Sequence, residues 1–277
     1  MGAWLITGVG GGLGRALAAA ALEAGHQVAG TVRQPAARAE FEALAPGRAH
    51  GFLADMADEA SVRAAVEQAV AALGGLDVLV NNAGYGLVGA IEEASLAEVR
   101  AQFEVNVFGP IAAIQAILPH FRRRGRGHII NITSVSGLAA WAGTGIYCGS
   151  KHALEGIGRT LAQEVAGFGI KVTNVEPGGM RTDYAGRSMI VTAQKIAAYA
   201  DTAHNAERIL GEHAGHEAGD PIKVAAAILK IVESPEPPVQ LLLGADAVHY
   251  ATQSMAAFQE EFGRWAALSL STGFPDA

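Results

Sequence analysis

The chain has one cysteine, Cys148, in 277 residues. That excludes an intrachain disulfide and suits a reducing cytosol, so a cytoplasmic protein is expected. Positive charge is scarce: 20 Lys and Arg stand against 27 Asp and Glu, a net charge of −7. With no basic stripe, a nucleic-acid partner is not expected. The one basic cluster, Arg122-Arg123-Arg124-Gly125-Arg126, follows a helical run and reads as a solvated helix C-terminus favoured by the helix dipole. Long hydrophobic runs are missing too, and none reaches the ~18 apolar residues of a membrane span. Met1–Ile6 lacks the charged start and apolar segment of a signal peptide. Aromatic residues make up only 6%, yet half of the chain is hydrophobic, enough for a sizeable core. Glycine is plentiful at 35, but it is scattered at turns, which excludes a collagen-like or low-complexity chain.

What is present is an alternation of short apolar strands and amphipathic helices. Strands are expected at Ala3–Thr7, His26–Val32, His50–Ala54, Leu76–Val80, His128–Thr133, Gly169–Val175 and Val239–Leu243. Helices are expected at Arg15–Ala24, Pro35–Ala45, Ser61–Leu73, Ser95–Val107, Pro110–Arg124, a run from Tyr147, Pro221–Val232 and Ala245–Leu270. This pattern gives an α/β class: one doubly wound, Rossmann-type domain with a seven-stranded parallel sheet. The domain spans 1–277, with an irregular lid over 183–220 and a helical extension over 245–277. Asp58 is the expected cap of the third helix, since Asp is favoured there.

The first strand runs into Thr7-Gly8-Val9-Gly10-Gly11-Gly12-Leu13-Gly14, and a helix and second strand follow. In that setting glycines let backbone approach a pyrophosphate, and the helix N-terminus offers free N–H groups to it. Gly8, Gly10, Gly11, Gly12, Leu13 and Gly14 are therefore candidate cofactor contacts. At the end of the second strand an acid would hold the ribose hydroxyls of NAD, whereas an arginine accommodates the 2′-phosphate of NADP. Val32 fills the acidic position and Arg33 follows, so NADP(H) is expected over NAD(H). Later come Asn81-Asn82-Ala83-Gly84 at a strand end, Ser134 after the fifth strand, Tyr147-Cys148-Gly149-Ser150-Lys151, and Pro177-Gly178-Gly179-Met180-Arg181-Thr182. On a helix, Tyr147 and Lys151 project side by side. A nearby ammonium pulls a phenol's pKa down from ~10 towards a useful range.

Thr-Gly-x-x-x-Gly-x-Gly, Asn-Asn-Ala-Gly, Tyr-x-x-x-Lys and Pro-Gly-x-x-x-Thr in this order resemble the short-chain dehydrogenase/reductase family, in its single-domain branch. The resemblance covers about residues 3 to 245. It implies that Ser134, 13 residues before Tyr147, binds the substrate oxygen, with Ser136 the weaker choice. It implies Tyr147 as general acid/base, Lys151 as its activator and a ribose ligand, and Asn106, in a slight helix distortion, as support for a water path to Lys151. Asp55 and Met56 would border the adenine, Asn82, Ala83 and Gly84 the ribose, and Pro177, Gly178 and Thr182 the nicotinamide. It also implies a homodimer or homotetramer, formed through Pro110–Arg124 and the helix of Tyr147.

The reaction expected is NADP(H)-dependent interconversion of a carbonyl and an alcohol, and a non-catalytic NADP(H) sensor is the alternative. Leu138, Ala139, Ala140, Trp141 and Met189 suggest an apolar pocket for a hydrophobic small molecule. No metal is expected: His204, His213 and His216 lack a convergent acid or cysteine set and read as solvent-facing lid residues. Phe258, Phe262 and Trp265 share one side of the last helix, a spacing more often found in a core, or covering the pocket or a neighbouring subunit.

Overall fold

The computed structural model describes residues 2–182 and 188–274. Residues 183–187 of the expected lid lie outside the described residues. Seven parallel strands form one sheet: β1 (Ala3–Ile6), β2 (Gln27–Val32), β3 (Ala49–Leu53), β4 (Val78–Asn81), β6 (Gly127–Ile132), β7 (Ile170–Pro177) and β9 (Gln240–Leu243). Their order is β3-β2-β1-β4-β6-β7-β9. The order reverses at β1, so the chain ends of β1 and β4 open a crevice side by side, the place where open α/β sheets bind ligands.

The sheet is buried on both faces, and the strands alternate accordingly. Trp4 and Ile6 point with Val28, Val80, Ile130 and Val175 to one face. There α1 (Gly12–Glu23), α2 (Pro35–Glu42) and α8 (Pro221–Glu233) cover them through Leu17, Phe41 and Ile228. Leu5, Leu79, Ile129 and Val172 point to the other face. They meet α3 (Glu59–Ala72), α5 (Gly109–Arg124) and α6 (Gly145–Val165) through Val66, Ile117, Phe121 and Leu161. One residue of register slip would turn both sets the wrong way, so the two-faced burial itself specifies the pairing. Asp58 caps α3 as expected, accepting from Ala60 N and Ser61 N.

A buried polar seam crosses the sheet below the crevice. Asn81, Asn131, Asn174 and Gln240 are register partners on β4, β6, β7 and β9. Asn81 Nδ2 donates to Asn131 Oδ1 at 2.9 Å, and Asn131 Nδ2 to Asn174 Oδ1 at 3.0 Å. Asn174 Nδ2 then donates to the Glu155 carbonyl and carboxylate on α6, at 2.9 and 2.8 Å. Each asparagine donates to the next group along the seam, as buried amides tend to do, and the seam ties the sheet to α6.

Several features depart from the sequence reading. The expected helix Ser95–Val107 is α4 (Leu96–Phe103) followed by a π-turn, Glu104–Phe108. Within Leu96–Arg124 an 18-residue window reaches a mean hydropathy of 1.2, long and apolar enough to cross a membrane by length and composition. Half of that window is buried in the fold, where it packs on the sheet as a core helix. Of the arginine cluster, Arg124 is not merely solvated: it bonds the Leu76 carbonyl and pairs with Asp77 at 3.0 Å. Two short strands, β5 (Gly86–Val88) and β8 (Met189–Val191), pair in a separate parallel ribbon. In α9 (Ala245–Leu270) only Ala247 and Ala251 are buried. Phe258, Phe262 and Trp265 are therefore not core residues of this chain; they stand 55%, 68% and 57% exposed.

Candidate active site

The turn after β1 is shaped for backbone approach. Gly8 and Gly12 have φ of 75° and 55°, a region that side chains disfavour. A Cβ on Gly14 would stand 2.2 Å from the Gly8 carbonyl oxygen and 2.4 Å from Asn82 Nδ2. Helix α1 begins on Gly11 with no side-chain cap, so its first N–H groups face the crevice in the way that suits a phosphate. Leu13 is buried in the core, which leaves only its backbone for a ligand. These residues fit a dinucleotide: the cradle is one that a Cβ would fill.

Thr7 and Asn82 brace this turn against β4. Thr7 Oγ1 accepts from Asn82 N at 2.9 Å and Ala83 N at 3.0 Å. Asn82 Nδ2 donates to the carbonyls of Thr7 and Gly8, at 2.8 and 3.2 Å. The Asn82 side chain thus supports the cradle. Thr7 is the first letter of the glycine motif, and its hydroxyl is the clamp. Val32 is buried 4.0 Å from where a Gly10 Cβ would be, and Arg33 is exposed beside it at the end of β2. Asp55 is exposed, with Oδ1 accepting from Ala57 N at 3.0 Å. Met56 packs its side chain into the core. Thr182 lies across from the turn, its Cβ 3.6 Å from a Gly12 Cβ position. Pro177 ends β7, Gly178 N donates to the Leu243 carbonyl at 3.0 Å, and Asp246 Oδ2 accepts from Gly179 N at 2.7 Å.

Tyr147 and Lys151 sit in the first two turns of α6, and the Lys151 Nζ lies 5.8 Å from the Tyr147 ring centroid. Lys151 is 6% exposed and donates to the Ile132 carbonyl at 2.9 Å. Burial pulls its pKa down to about 8, which still leaves it largely charged at neutral pH. Gly84 brings the strand-β4 motif to the same place: a Cβ there would stand 3.7 Å from Lys151 Nζ and 3.0 Å from Asn106 Oδ1. Asn106 lies in the π-turn and is buried. Its Oδ1 accepts from Tyr85 N at 3.1 Å, and its Nδ2 donates to the Tyr85 carbonyl and to Ser150 Oγ, at 2.9 and 3.1 Å. Ser150 Oγ in turn donates to the Tyr147 carbonyl at 2.7 Å. Asn106 therefore reaches the Tyr147 helix through Ser150, a link the motif's variable position concealed.

Ser134 Oγ accepts from Ser136 N at 3.0 Å. That bond occupies a lone pair and leaves the hydroxyl proton for another acceptor. Ser136 is buried while Ser134 is half-buried, so the geometry favours Ser134 of the two. Leu138 and Met189 are half-buried, Leu138 packing on Val135, Ala247 and Ala251, and Trp141 stacks edge-on to Tyr250 with centroids 5.4 Å apart. Ala139 is buried, at 7% exposed. Among the lid histidines, His213 and His216 are exposed as expected. His204 is not: its ring pairs with buried Glu93 at 2.7 Å. No group of three or more metal-ligating side chains occurs among the described residues.

A doubly wound sheet with a glycine cradle at its switch point, and a Ser, Tyr and Lys set beside it, defines a nicotinamide-dependent oxidoreductase. The chain belongs to the short-chain dehydrogenase family, whose model matches residues 3–189. It is 37% identical over 270 residues to Oxidoreductase BOA17 of Botryotinia fuckeliana, covering 97% of this chain and 98% of that one. It is 38% identical over 241 residues to a 3-ketodihydrosphingosine reductase of Bacteroides thetaiotaomicron, covering 87% of each chain. A solved short-chain dehydrogenase from Streptomyces avermitilis superimposes with a TM-score of 0.92 at 39% identity, over 99% of this chain and all of that one. The protein is thus an enzyme acting on CH–OH and C=O groups with NAD(P).

Proposed function

We propose that the chain is an NADP(H)-dependent reductase of hydrophobic ketones or aldehydes, working in reverse on the corresponding alcohols. The observation that carries this reading is the buried Lys151 ammonium beside the Tyr147 ring. A nicotinamide cofactor held there would supply or accept the hydride. Ser134 donates its hydroxyl proton in a hydrogen bond to the substrate oxygen as charge grows there. Tyr147 gives its proton to that oxygen, or takes it from an alcohol. Lys151 stabilises the phenolate by its charge in a water-poor site, where such an interaction is strong, and holds the ribose. Asn106 keeps the π-turn and α6 in register and supports a water path that resupplies the proton.

Preference for NADP(H) rests on Arg33 beside the neutral Val32. The apolar rim of Leu138, Trp141 and Met189, together with a relative named for reducing a 3-keto compound, supports a hydrophobic carbonyl substrate. The buried thiol of Cys148 suits a cytoplasmic setting. An apolar groove between α5 and α6, lined by Ile111, Ile114, Leu118 and Ile157, supports pairing of subunits as a dimer or tetramer; light scattering tests it.

The test of function is NADPH oxidation against ketones and aldehydes graded by size and polarity. Turnover on apolar members that falls by at least ~10³-fold in Tyr147→Phe, with NADPH affinity kept, is the expected outcome. A variant within tenfold of the wild type would overturn the assignment of Tyr147. NADPH binding with no turnover on any member would favour the sensor instead.

A further inference from the structure

Glu93 lies outside every motif, yet it is 1% exposed, which is rare for a carboxylate. Its Oε1 accepts from the backbone N–H of Ile196 at 2.6 Å and contacts His204 Nε2 at 2.7 Å. Its Oε2 accepts from Ala90 N at 2.9 Å. Burial opposes the charge, but the bonds from Ile196, His204 and Ala90 outweigh it and hold the carboxyl down to about 2. Ala90 belongs to the segment after β5, whereas Ile196 and His204 belong to the lid, more than a hundred residues later.

The lid also meets the loop that leads into the Tyr147 helix. The start of α7 (His204–His213) packs on Gly143, four residues before Tyr147: a Cβ there would stand 2.2 Å from the Ala203 carbonyl oxygen and 2.8 Å from Ala206 Cβ. Gly89 N donates to the Gly143 carbonyl at 2.8 Å. One buried side chain thus sits where the segment after β5, the lid and the Tyr147 approach loop converge. The exposed contacts alongside, Glu92 to Tyr199 and Glu98 to Ala193 N, are solvent-screened and contribute less.

We propose that Glu93 is the positioning residue that fixes the lid over the pocket through Ile196 and His204, and so sets which carbonyl substrates are accepted. The proposal rests on the reductase reading above for its substrates, but not for the latch itself. A buried carboxylate whose three donors come from two segments holds those segments in one arrangement. Losing it leaves the Ile196 and Ala90 N–H groups without their acceptor and frees the lid to open.

The full chain with NADPH bound is compared as wild type, Glu93→Ala, His204→Ala and His204→Gln. Hydrogen exchange at the amides of residues 189–213 should quicken in Glu93→Ala and His204→Ala. It should return towards wild type in His204→Gln, whose amide nitrogen still donates to Glu93. With a bulky aryl ketone, KM should rise about tenfold or more in the two alanine variants, equivalent to ~1.4 kcal/mol. With a small aliphatic ketone, kcat should stay within about threefold, because the chemistry is untouched. NADPH affinity should also hold. His204 is partly exposed, so His204→Ala keeps the test alive if Glu93→Ala does not fold. Unchanged lid exchange in the variants overturns the latch, as does an equal loss on small and bulky ketones. A wild type that reduces no ketone would sink the reductase reading, while the exchange result still decides the latch.

Discussion

Replacing Lys151 by methionine should make the protein more stable and inactive at once. Lys151 is 6% exposed, and burial alone brings its pKa from 10.5 to about 8. At 1.36 kcal/mol per pKa unit this is a penalty of about 3 kcal/mol for holding the ammonium inside the fold. The native state binds fewer protons than the unfolded chain between pH 8 and 10.5. The penalty is therefore full below pH 8 and fades as pH rises from 8 towards 10.5. Methionine has a similar length and carries no charge. It also loses the 2.9 Å bond to the Ile132 carbonyl, at ~1–2 kcal/mol. The net gain at pH 7 is thus about 1–2 kcal/mol, or a few degrees in Tm. The assay is thermal unfolding of the cofactor-free proteins at pH 7, 8, 9 and 10, with NADPH oxidation measured alongside. A variant no more stable than wild type at pH 7 would refute the reasoning, and so would a stability gap that does not narrow by pH 10.

Three further expectations follow from the site and the seam beneath it. Arg33→Ala should weaken NADPH by at least about tenfold more than NADH, as read by calorimetry, because only NADPH carries a 2′-phosphate for a guanidinium; equal losses would contradict the cofactor preference. Gly14→Ala should cost ~2 kcal/mol or more and abolish cofactor binding, since its Cβ would meet the Gly8 carbonyl and Asn82 Nδ2 at 2.2 and 2.4 Å; a variant that binds NADPH normally would show that the cradle tolerates bulk. Burial and then the neighbouring Glu155 hold the Glu176 carboxyl far above the usual range, so its native state keeps a proton that the unfolded chain has lost. That contribution is present at low pH and disappears as pH rises through the folded pKa. Glu176→Gln should therefore match wild type near pH 5 and exceed it at pH 9, and an unchanged gap across that range would count against the buried proton.

How much was legible in the sequence depended on how local the cause was. The glycine turn, the strand and helix alternation and the Tyr147–Lys151 pair are set by neighbours within a few residues, and their positions follow from spacing. The seven-stranded sheet follows as well, because strands buried on both faces need apolar runs that composition reveals. The ribbon of β5 and β8 escaped because three residues cannot display a period of two. Periodicity grouped Phe258, Phe262 and Trp265 on one side of α9 but carries no information on what covers that side. Glu93 and His204 were invisible as a pair for a similar reason: each is an ordinary residue until folding brings them together. The seam of Asn81, Asn131, Asn174 and Gln240 was hidden likewise, since register is a property of the sheet and not of any one strand.

The strand order also sets a timetable for synthesis. Residues 3 to 81 hold four adjacent strands, β3-β2-β1-β4, and Thr7 can grip Asn82 and Ala83 as soon as they leave the ribosome. The glycine cradle can therefore close on a nascent chain that does not yet contain Tyr147. The growing sheet meanwhile ends on β4, whose free edge must wait for Gly127–Ile132 to be made. An unpaired apolar edge is a ready template for pairing with another chain. At about 5–20 residues per second, that interval lasts for seconds, and it is the stage at which a chaperone would have most to protect.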